Sequence, residues 1–241
     1  MELKRVVVTG LGAISPLGND VETMWKAMQE GKSGIVPITQ FDSTLYKTHF
    51  AGEVSGIDIS TLLDRKEARK LDRYSHFALL TAKQALDDSK LDLEQEDRDR
   101  IGVIWGSGMG GMRTLEDELI PMGQGDGTPR FSPFYIPKAI LNMGAGQISL
   151  FFGLRGPNYA TASACASSSH AIADAFNYIR LGKANVILTG GSDADVTYSG
   201  IGGFNAMHAI STRNDSPETA SRPFSKSRDG FVLGEGSVTL I

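Results

Sequence analysis

The sequence predicts an α/β protein in which helices cover both faces of a central mixed sheet. Short runs rich in β-branched residues, most of them ended by glycine, alternate with longer segments in which apolar residues recur every three or four positions. The first pattern is typical of buried strands and the second of amphipathic helices. Because no repeat or linker interrupts the alternation, we expect residues 1–241 to form one domain.

Local signals place the elements in order. Strands are predicted at residues 4–9, 100–107, 158–161, 184–190 and 231–241. Helices are predicted at residues 21–30, 60–89, 112–120, 135–152, 165–182 and 199–209. Asp20 is the expected N-cap of the first helix, and Ser60 or Asp64 that of the second. The stretches 124–130 and 211–228 are predicted to be loops.

Composition excludes several classes of protein. The net charge of −4 gives no general attraction to nucleic acid or to an acidic membrane. No apolar stretch approaches the length of a membrane span, and the apolar run near the N-terminus is too short for a signal peptide. A single cysteine cannot form an internal disulfide and suits a reducing compartment. We therefore expect a cytoplasmic protein that binds neither nucleic acid nor membrane.

The one cysteine, Cys165, lies in the segment YATASACASSSH at 159–170. A strand-like run leads there into a turn of small residues, and a helix is predicted to start at or near the cysteine. The helix N-terminus has unpaired N–H groups and a positive dipole end, which favour the reactive thiolate. A lone cysteine is more often a small buried hydrophobe. The strand–turn–helix setting nevertheless favours Cys165 as a nucleophile.

Two glycine-rich stretches imitate a dinucleotide-binding fingerprint. Residues 10–15 lack its third glycine, and Pro16 and Gly18 oppose an immediate helix. Residues 106–111 fit G-x-G-x-x-G, but no second parallel strand ending in an acidic residue follows at the required distance. The pattern therefore argues against a nicotinamide or flavin enzyme. We expect residues 106–111 to form a tight turn that brings Met109 against a pocket.

The four histidines, His49, His76, His170 and His208, are the candidate bases. His170 follows Cys165 by five residues on the predicted helix, a rotation of about 500°, so the two side chains point in different directions. We interpret His170 as a packed or capping residue and His76 as structural. No Cys, His or Asp cluster has metal-ligand spacing, so no metal site is predicted.

A basic face is predicted on the helix that follows Asp64. It contains five residues of one sign, Arg65, Lys66, Arg69, Lys70 and Arg73. It is either an ordinary solvated surface or a docking patch for an acidic partner. At the other end of the chain, residues 236–241 read as an apolar strand with no turn after them. Because chains seldom stop inside a core strand, we expect the sequence to be part of a longer protein.

Taken in order, these motifs resemble the β-ketoacyl-acyl-carrier-protein synthases, condensing enzymes of the thiolase-like fold, and are most similar to the type II synthases of bacterial fatty-acid synthesis. The resemblance covers the whole chain and is carried by residues 6–18, 106–111, 153–157, 159–170, 190–192, 221–224 and 228–236. It implies that the chain is the N-terminal one of two pseudo-symmetric halves. The family's two catalytic histidines, its lysine and its second oxyanion donor belong to the other half. We therefore expect negligible condensation by this chain alone.

The resemblance also implies a reaction. Cys165 takes an acyl group from the phosphopantetheine arm of acyl carrier protein, and decarboxylation of malonyl-carrier then drives a condensation that lengthens the chain by two carbons. No dissociable cofactor is implied. Two alternatives stay open: a non-catalytic partner subunit similar to a chain-length factor, and a thiolase-type enzyme acting on coenzyme A thioesters. Chain-length factors generally lack the nucleophilic cysteine, and residues 221–224 and 228–231 favour the carrier-dependent branch over thiolases.

Further roles are carried over from the family position by position. They are the acyl channel mouth for Met109, pocket lining for Phe204, carrier-protein docking for Lys66 and Arg69, and contact across a homodimer twofold for Phe134, Tyr135 and Ile136. One position departs from the family. His208 stands where an arginine is frequent, and a histidine is only partly charged at neutral pH, which weakens the expectation that it docks the carrier.

Overall fold

The computed structural model describes residues 3–241. Its strands are β1 (Leu11–Ile14), β2 (Val36–Pro37), β3 (Phe50–Ala51), β4 (Ile101–Gly106), β5 (Asn158–Thr161), β6 (Val186–Asp193) and β7 (Gly236–Leu240). The main sheet has the order β1-β7-β6-β4-β5, and β2 pairs with β3 separately. β4 runs parallel to β5 and β6, whereas β7 runs antiparallel to β6 and β1. The predicted mixed sheet is confirmed.

Helices cover both faces of this sheet, as predicted. They are α1 (Val21–Gln29), α2 (Arg65–Ala68), α3 (Arg73–Ser89), α4 (Met112–Gln124), α5 (Tyr135–Ala139), α6 (Met143–Phe152), α7 (Ser167–Arg180) and α8 (Tyr198–Ala206). α3 and α6 pack on one face, and α7 packs on the other. Within residues 3–241, no helix combines the length and the apolar composition needed to cross a bilayer.

Side chains alternate between the two faces of β4, so this one strand packs against the helices on both sides of the sheet. Val103 and Trp105 are buried in the cluster that includes α3 and α6, whereas Ile104 between them is buried against α7. Successive side chains of a strand point to opposite faces, and a parallel strand in an α/β sheet is covered on both. β4 is consequently buried along its whole length.

Two glycines let the start of α7 approach the sheet closely. A Cβ atom at Gly106, on β4, would lie 2.4 Å from the backbone nitrogen of Ser168. A Cβ atom at Gly191, on β6, would lie 2.1 Å from the Ser168 hydroxyl oxygen. Only glycine provides the space that this contact requires. The contact fixes the first turn of α7 against the carboxyl ends of β4 and β6.

The strand predicted at residues 4–9 is wrong, because the first strand is Leu11–Ile14. The pairing of β1 with β7 places Leu11 opposite Leu240, and the Thr9 N–H donates to the Ile241 carbonyl oxygen at 2.8 Å. Residues 4–8 therefore extend past the last residue of β7 and find no ladder partner among residues 3–241. The Lys4 N–H bonds instead to the carbonyl oxygen of Arg180 at 3.0 Å.

Two long predicted helices are each broken. The helix predicted at 60–89 is a short 3-10 turn, α2 and α3, because Asp64 caps α2 and Asp72 caps α3 with their carboxylates. Each carboxylate satisfies the N–H groups of a new helix start. The helix predicted at 135–152 is α5 and α6, separated where Ile140 has an extended backbone with ψ of 134°.

The remaining differences concern where elements end. α4 reaches Gln124 rather than residue 120, and β6 continues to Asp193 rather than ending at residue 190. The last strand begins at Gly236, and Phe231 forms only an isolated bridge with Ile210. α8 covers Tyr198–Ala206 and ends before residue 209. The N-cap role of Asp20 on α1 is confirmed, since its carboxylate accepts from the Thr23 N–H at 2.7 Å.

Candidate active site

Cys165 lies in the turn of residues 162–166, here called the Cys165 turn, between β5 and α7. The helix begins at Ser167, two residues after the cysteine, which confirms the prediction that it starts at or near Cys165. The carboxyl ends of the parallel strands β4, β5 and β6 meet at this turn. In α/β proteins this edge of the sheet is where ligands commonly bind.

The Cys165 side chain is exposed, so it is not a packed core residue. Ala164 has φ of 49°, a left-handed conformation that is unfavourable for a residue with a Cβ atom. The Ala166 N–H donates to the Ser163 carbonyl at 3.1 Å, and the Ser167 N–H donates to the Ala164 carbonyl at 3.0 Å. The Cys165 N–H donates to no acceptor within residues 3–241. It is therefore open to a developing oxyanion.

A second turn, formed by residues 107–111 and here called the glycine turn, lies beside the Cys165 turn. A Cβ atom at Gly108 would be 3.8 Å from the carbonyl oxygen of Ala164. The Asp193 carboxylate, at the end of β6, accepts from the Ser107 hydroxyl at 2.8 Å, the Gly108 N–H at 3.0 Å and the Met109 N–H at 3.3 Å. One carboxylate thus holds the backbone that carries Met109.

Asp193 was missed in the sequence, although it directly follows the glycine-rich end of a predicted strand. Burial raises the pKa of Asp193, and its hydrogen bonds from Ser107 and the backbone of Gly108 and Met109 oppose that rise. Those donors favour the ionised form. The position of an acidic residue after Gly190-Gly-Ser was the signal available for it.

Asp195, two residues further on, is a buried acid without full hydrogen bonding. Its side-chain oxygen Oδ1 has no partner within residues 3–241. Burial, together with the nearby carboxylates of Asp193 and Asp72, raises the pKa of Asp195 to about 8. The group is therefore largely protonated at neutral pH. No sequence pattern marked Asp195.

Met109 and Phe204, the two residues expected to line the acyl channel, have different surroundings. Met109 lies at the tip of the glycine turn and is 43 % exposed. Phe204 lies on α8, packs edge-on against Phe231 with ring centroids 5.2 Å apart, and belongs to a cluster with Val196 and Ile201. The geometry brings Met109 to the turn that adjoins Cys165, whereas the contacts of Phe204 are with the cluster around α8.

The basic face predicted after Asp64 is smaller than expected. Arg73 pairs with the buried Glu235 at 3.0 Å, and Lys70 pairs with Glu67 at 2.5 Å. The other three cations are exposed and form no ion pair within residues 3–241: Arg65, Lys66 and Arg69. The available positive charge is therefore concentrated on α2.

The predicted dimer segment adjoins this basic face. The Lys70 ammonium lies 5.6 Å from the centroid of the Phe134 ring. Phe134 is 38 % exposed and Ile136 is 58 % exposed. Tyr135 is half-buried and stacks on Phe131 with ring centroids 5.0 Å apart. The segment therefore presents apolar side chains at the surface.

The histidines occupy distinct settings. His76 is bonded through Nε2 to the Ala68 carbonyl at 2.9 Å, and burial lowers its pKa, which agrees with a structural role. His170 is exposed and neither packed nor capping, so that interpretation is wrong. Its Nδ1 lies 2.7 Å from the hydroxyl of Ser163, in the Cys165 turn. His208 is exposed with a left-handed φ of 53°.

Comparison with known proteins places this arrangement in a family. A family model described as "Beta-ketoacyl synthase, N-terminal domain" matches residues 3–241. The chain is 47 % identical over 241 residues to 3-oxoacyl-[acyl-carrier-protein] synthase 2 of Synechocystis sp., covering 100 % of this chain and 58 % of that protein. It is 46 % identical over 245 aligned residues to the protein of the same name from Coxiella burnetii, with 100 % and 58 % covered.

Solved structures agree with the sequence matches. A β-ketoacyl synthase from Burkholderia phymatum superposes with a TM-score of 0.87 at 31 % identity, covering 99 % of this chain and 58 % of that chain. The AntDE:AntF complex, a type II PKS acyl-carrier protein with its ketosynthase, gives a TM-score of 0.85 at 28 % identity, with 99 % and 58 % covered. The chain spans about 58 % of the length of these curated relatives. It belongs to the β-ketoacyl synthase family, and residues 3–241 match that family's N-terminal domain.

Proposed function

We propose that the protein containing this chain is a 3-oxoacyl-acyl-carrier-protein synthase of fatty-acid synthesis, in which Cys165 is the acyl acceptor. One observation carries the proposal: the only cysteine is exposed in a turn with a left-handed residue, where three parallel strands end, inside a ketoacyl synthase domain. Display of a nucleophile on such a strand-to-helix turn is a recurrent device of acyl-transfer enzymes.

The proposed reaction has two stages. The Cys165 thiolate attacks the thioester carbon of acyl-carrier, and the C–S bond to the phosphopantetheine breaks. The departing phosphopantetheine thiolate takes up the proton that the Cys165 thiol gave up. Malonyl-carrier then loses carbon dioxide, and its C2 carbanion attacks the acyl-enzyme carbonyl. A C–C bond forms, the bond to Cys165 breaks, and the thiolate is regenerated. Decarboxylation supplies the driving force, so no dissociable cofactor and no metal is required.

The contribution of this chain is the nucleophile and one oxyanion donor. The free Cys165 N–H would stabilise the tetrahedral oxyanion at both stages. No hydrogen bond within residues 3–241 joins a histidine to Cys165. We therefore propose that the base and the second oxyanion donor lie outside this chain, and that residues 1–241 alone do not condense acyl groups.

Acyl carrier protein is the proposed macromolecular partner. Arg65, Lys66 and Arg69 give α2 three exposed positive charges without ion pairs in the described structure, which suits an acidic surface. A structural neighbour was solved with its own acyl-carrier protein. A second copy of the protein is the proposed occupant of the apolar surface at Phe134 and Ile136. We propose the cytoplasm as the compartment, because a reducing environment keeps Cys165 as a free thiol.

The proposal is tested by mixing the full-length protein with acyl-carrier and locating the acyl group by peptide mass spectrometry. We expect the Cys165 peptide to gain the mass of the acyl group, and Cys165→Ala to gain none. Absence of an adduct on the native protein would instead favour a non-catalytic subunit similar to a chain-length factor. Acylation by acyl-coenzyme A at far lower concentration than by acyl-carrier would favour a thiolase-type enzyme.

A further inference from the structure

The Cys165 turn is held from the inside by one buried hydroxyl. Ser167 is 2 % exposed, and its Oγ accepts from the Ser163 N–H at 2.8 Å and donates to the Ala164 carbonyl at 2.7 Å. Its own carbonyl accepts from the Thr161 hydroxyl at 2.8 Å. The Ser167 side chain therefore bonds to the two residues that precede Cys165, and the Ser167 backbone carbonyl ties α7 to the end of β5.

The same turn is held from the outside by an imidazole. His170 projects back from the first turn of α7, and its Nδ1 lies 2.7 Å from the Ser163 hydroxyl. Ser163 is thus bonded at its backbone to Ser167 and at its side chain to His170. The Ala164 carbonyl, which accepts from the Ser167 hydroxyl, is also the atom that Gly108 of the glycine turn approaches.

These bonds matter because the turn contains an unfavourable conformation. The left-handed φ of Ala164 is one that an alanine in a free peptide seldom adopts, so the surrounding bonds must impose it. The φ and ψ of Ala164 set the direction in which the next residue leaves the backbone, and that residue is Cys165. A change at Ser167 or His170 is therefore transmitted to the sulfur and to the free Cys165 N–H.

We propose that Ser167 and His170 are positioning residues that hold the Cys165 turn in the conformation presenting the sulfur and the Cys165 N–H together. Neither residue is bonded to Cys165 in the described structure. Both act through Ser163 and Ala164. The catalytic meaning of this role rests on the proposed function, whereas its effect on the reactivity of the thiol does not.

The test uses the full-length protein with Ser167→Ala, His170→Ala and His170→Asn. An asparagine places a side-chain nitrogen close to the position of the histidine Nδ1, so it is the conservative variant. Ser169→Ala is the matched control, because Ser169 lies between the two positions on α7, is exposed, and has no side-chain hydrogen bond within residues 3–241. Two quantities are measured: the rate constant for alkylation of Cys165 by iodoacetamide, and kcat and KM for acyl transfer.

We expect Ser167→Ala and His170→Ala to lower kcat for acyl transfer by roughly ten- to a hundredfold, with little change in KM for acyl-carrier, because misplacement of a reacting atom acts on the chemical step. The rate of alkylation should change in the same variants. His170→Asn should recover most of both quantities, and Ser169→Ala should match the native protein.

Native alkylation rates and native kcat in both alanine variants would overturn the proposal. So would a loss of kcat that Ser169→Ala shares or that His170→Asn does not relieve. If Ser167→Ala fails to fold, the two variants of the exposed His170 still test the proposal. Failure of the proposed function gives a different result: Cys165 of the native protein is then alkylated by iodoacetamide but accepts no acyl group. In that case the alkylation rates of the variants alone support or overturn the positioning role.

Discussion

At the scale of single residues, Asp195 is a buried carboxyl group that lies near the carboxylates of Asp193 and Asp72. These surroundings favour its protonated form, because burial and like charges both disfavour a carboxylate.

Asp195 predicts a dependence of stability on pH. Its pKa of about 8 in the folded protein lies above its ordinary value of 3.8, so between these values the folded state keeps a proton that the unfolded state releases. The free energy of unfolding contributed by this group therefore falls as pH rises from about 4 to 8 and stays low above 8. Asp195→Asn should stabilise the protein increasingly over this range, by on the order of a few kcal/mol at pH 8.5.

Urea unfolding of the native protein and Asp195→Asn at pH 5, 7 and 8.5 measures this difference. Asp215→Asn makes the same charge change at an exposed position and serves as the control. A constant difference between Asp195→Asn and the native protein across the three pH values would contradict the prediction.

Met109 predicts a control of substrate length. Its side chain stands at the tip of the glycine turn that adjoins Cys165, so Met109→Ala should widen the entrance to the site and raise kcat/KM for the acyl chains that the native protein uses poorly, by roughly threefold to tenfold. The measurement is kcat/KM across a series of acyl-carriers of increasing length. Met28→Ala, at an exposed position on α1, should leave the profile unchanged. An identical profile in Met109→Ala would remove the assignment.

The sequence predicted the strand–turn–helix setting of Cys165, because a run of small residues follows a strand-like segment there. It did not reveal Asp195, because the surroundings that raise the pKa of this carboxyl group include residues far away in sequence such as Asp72. The interpretation of His170 as packed or capping is wrong because the exposed imidazole reaches back to the Ser163 hydroxyl, a contact that residue spacing does not show.

At the scale of elements, the sequence predicted most strands and helices but misplaced the breaks between helices. Periodicity continues through residues 60–89 because Leu62, Leu63 and Leu71, which flank α2, pack against the same core as α3, so the pattern alone does not show that the chain turns. The residue that marks the break is Asp72, whose carboxylate caps the N-terminus of α3. For residues 4–9 the β-branched run did not show where the strand begins: among residues 3–241, the ladder with β7 starts at Leu11.

Asp72 is expected to be the cap with the largest effect on stability. It is 4 % exposed, and its carboxylate accepts from the Tyr74 N–H at 3.3 Å and from the Thr114 N–H at 3.0 Å. Asp72→Ala leaves buried donors unpaired at the start of both α3 and α4, so we expect a loss of about 2–4 kcal/mol in the free energy of unfolding.

Denaturant unfolding checks this value, and Asp64→Ala is the comparison. Asp64 caps the short helix α2 from an exposed position, so its loss should cost about 1 kcal/mol or less. Equal losses in the two variants would show that burial and the bond to Thr114 add nothing to the cap of α3.

At the scale of the whole molecule, charge is distributed so that a protein with a net charge of −4 carries an unpaired positive cluster on α2. The sequence identified the basic residues but not which would be neutralised, because the partner of Arg73 is Glu235, far along the chain. What remains is a compact patch. Long-range attraction from such a patch accelerates encounter with an acidic partner and weakens as salt is added.

Reversing this charge should impair recognition of acyl-carrier. With Lys66→Glu and Arg69→Glu combined, we expect KM for acyl-carrier to rise by roughly tenfold while kcat changes little, and the dependence of kcat/KM on ionic strength to become weaker. Lys26→Glu combined with Lys90→Glu, both at exposed positions, makes the same change in net charge and serves as the control. Steady-state kinetics at two salt concentrations make the measurement, and unchanged KM and salt dependence in the double variant would exclude α2 as the docking surface.

The pairing of β1 with β7 has a consequence for biosynthesis. Leu11 lies opposite Leu240, so the earliest and latest strands of this chain are neighbours in the sheet. During translation, the ladder between β1 and β7 cannot form until nearly the whole domain has been synthesised. Until then, the backbone donors and acceptors of β1 are unpaired and can bond to other chains. Contacts between such distant segments form slowly, and we expect nascent chains of this domain to depend on chaperones until β7 has been released.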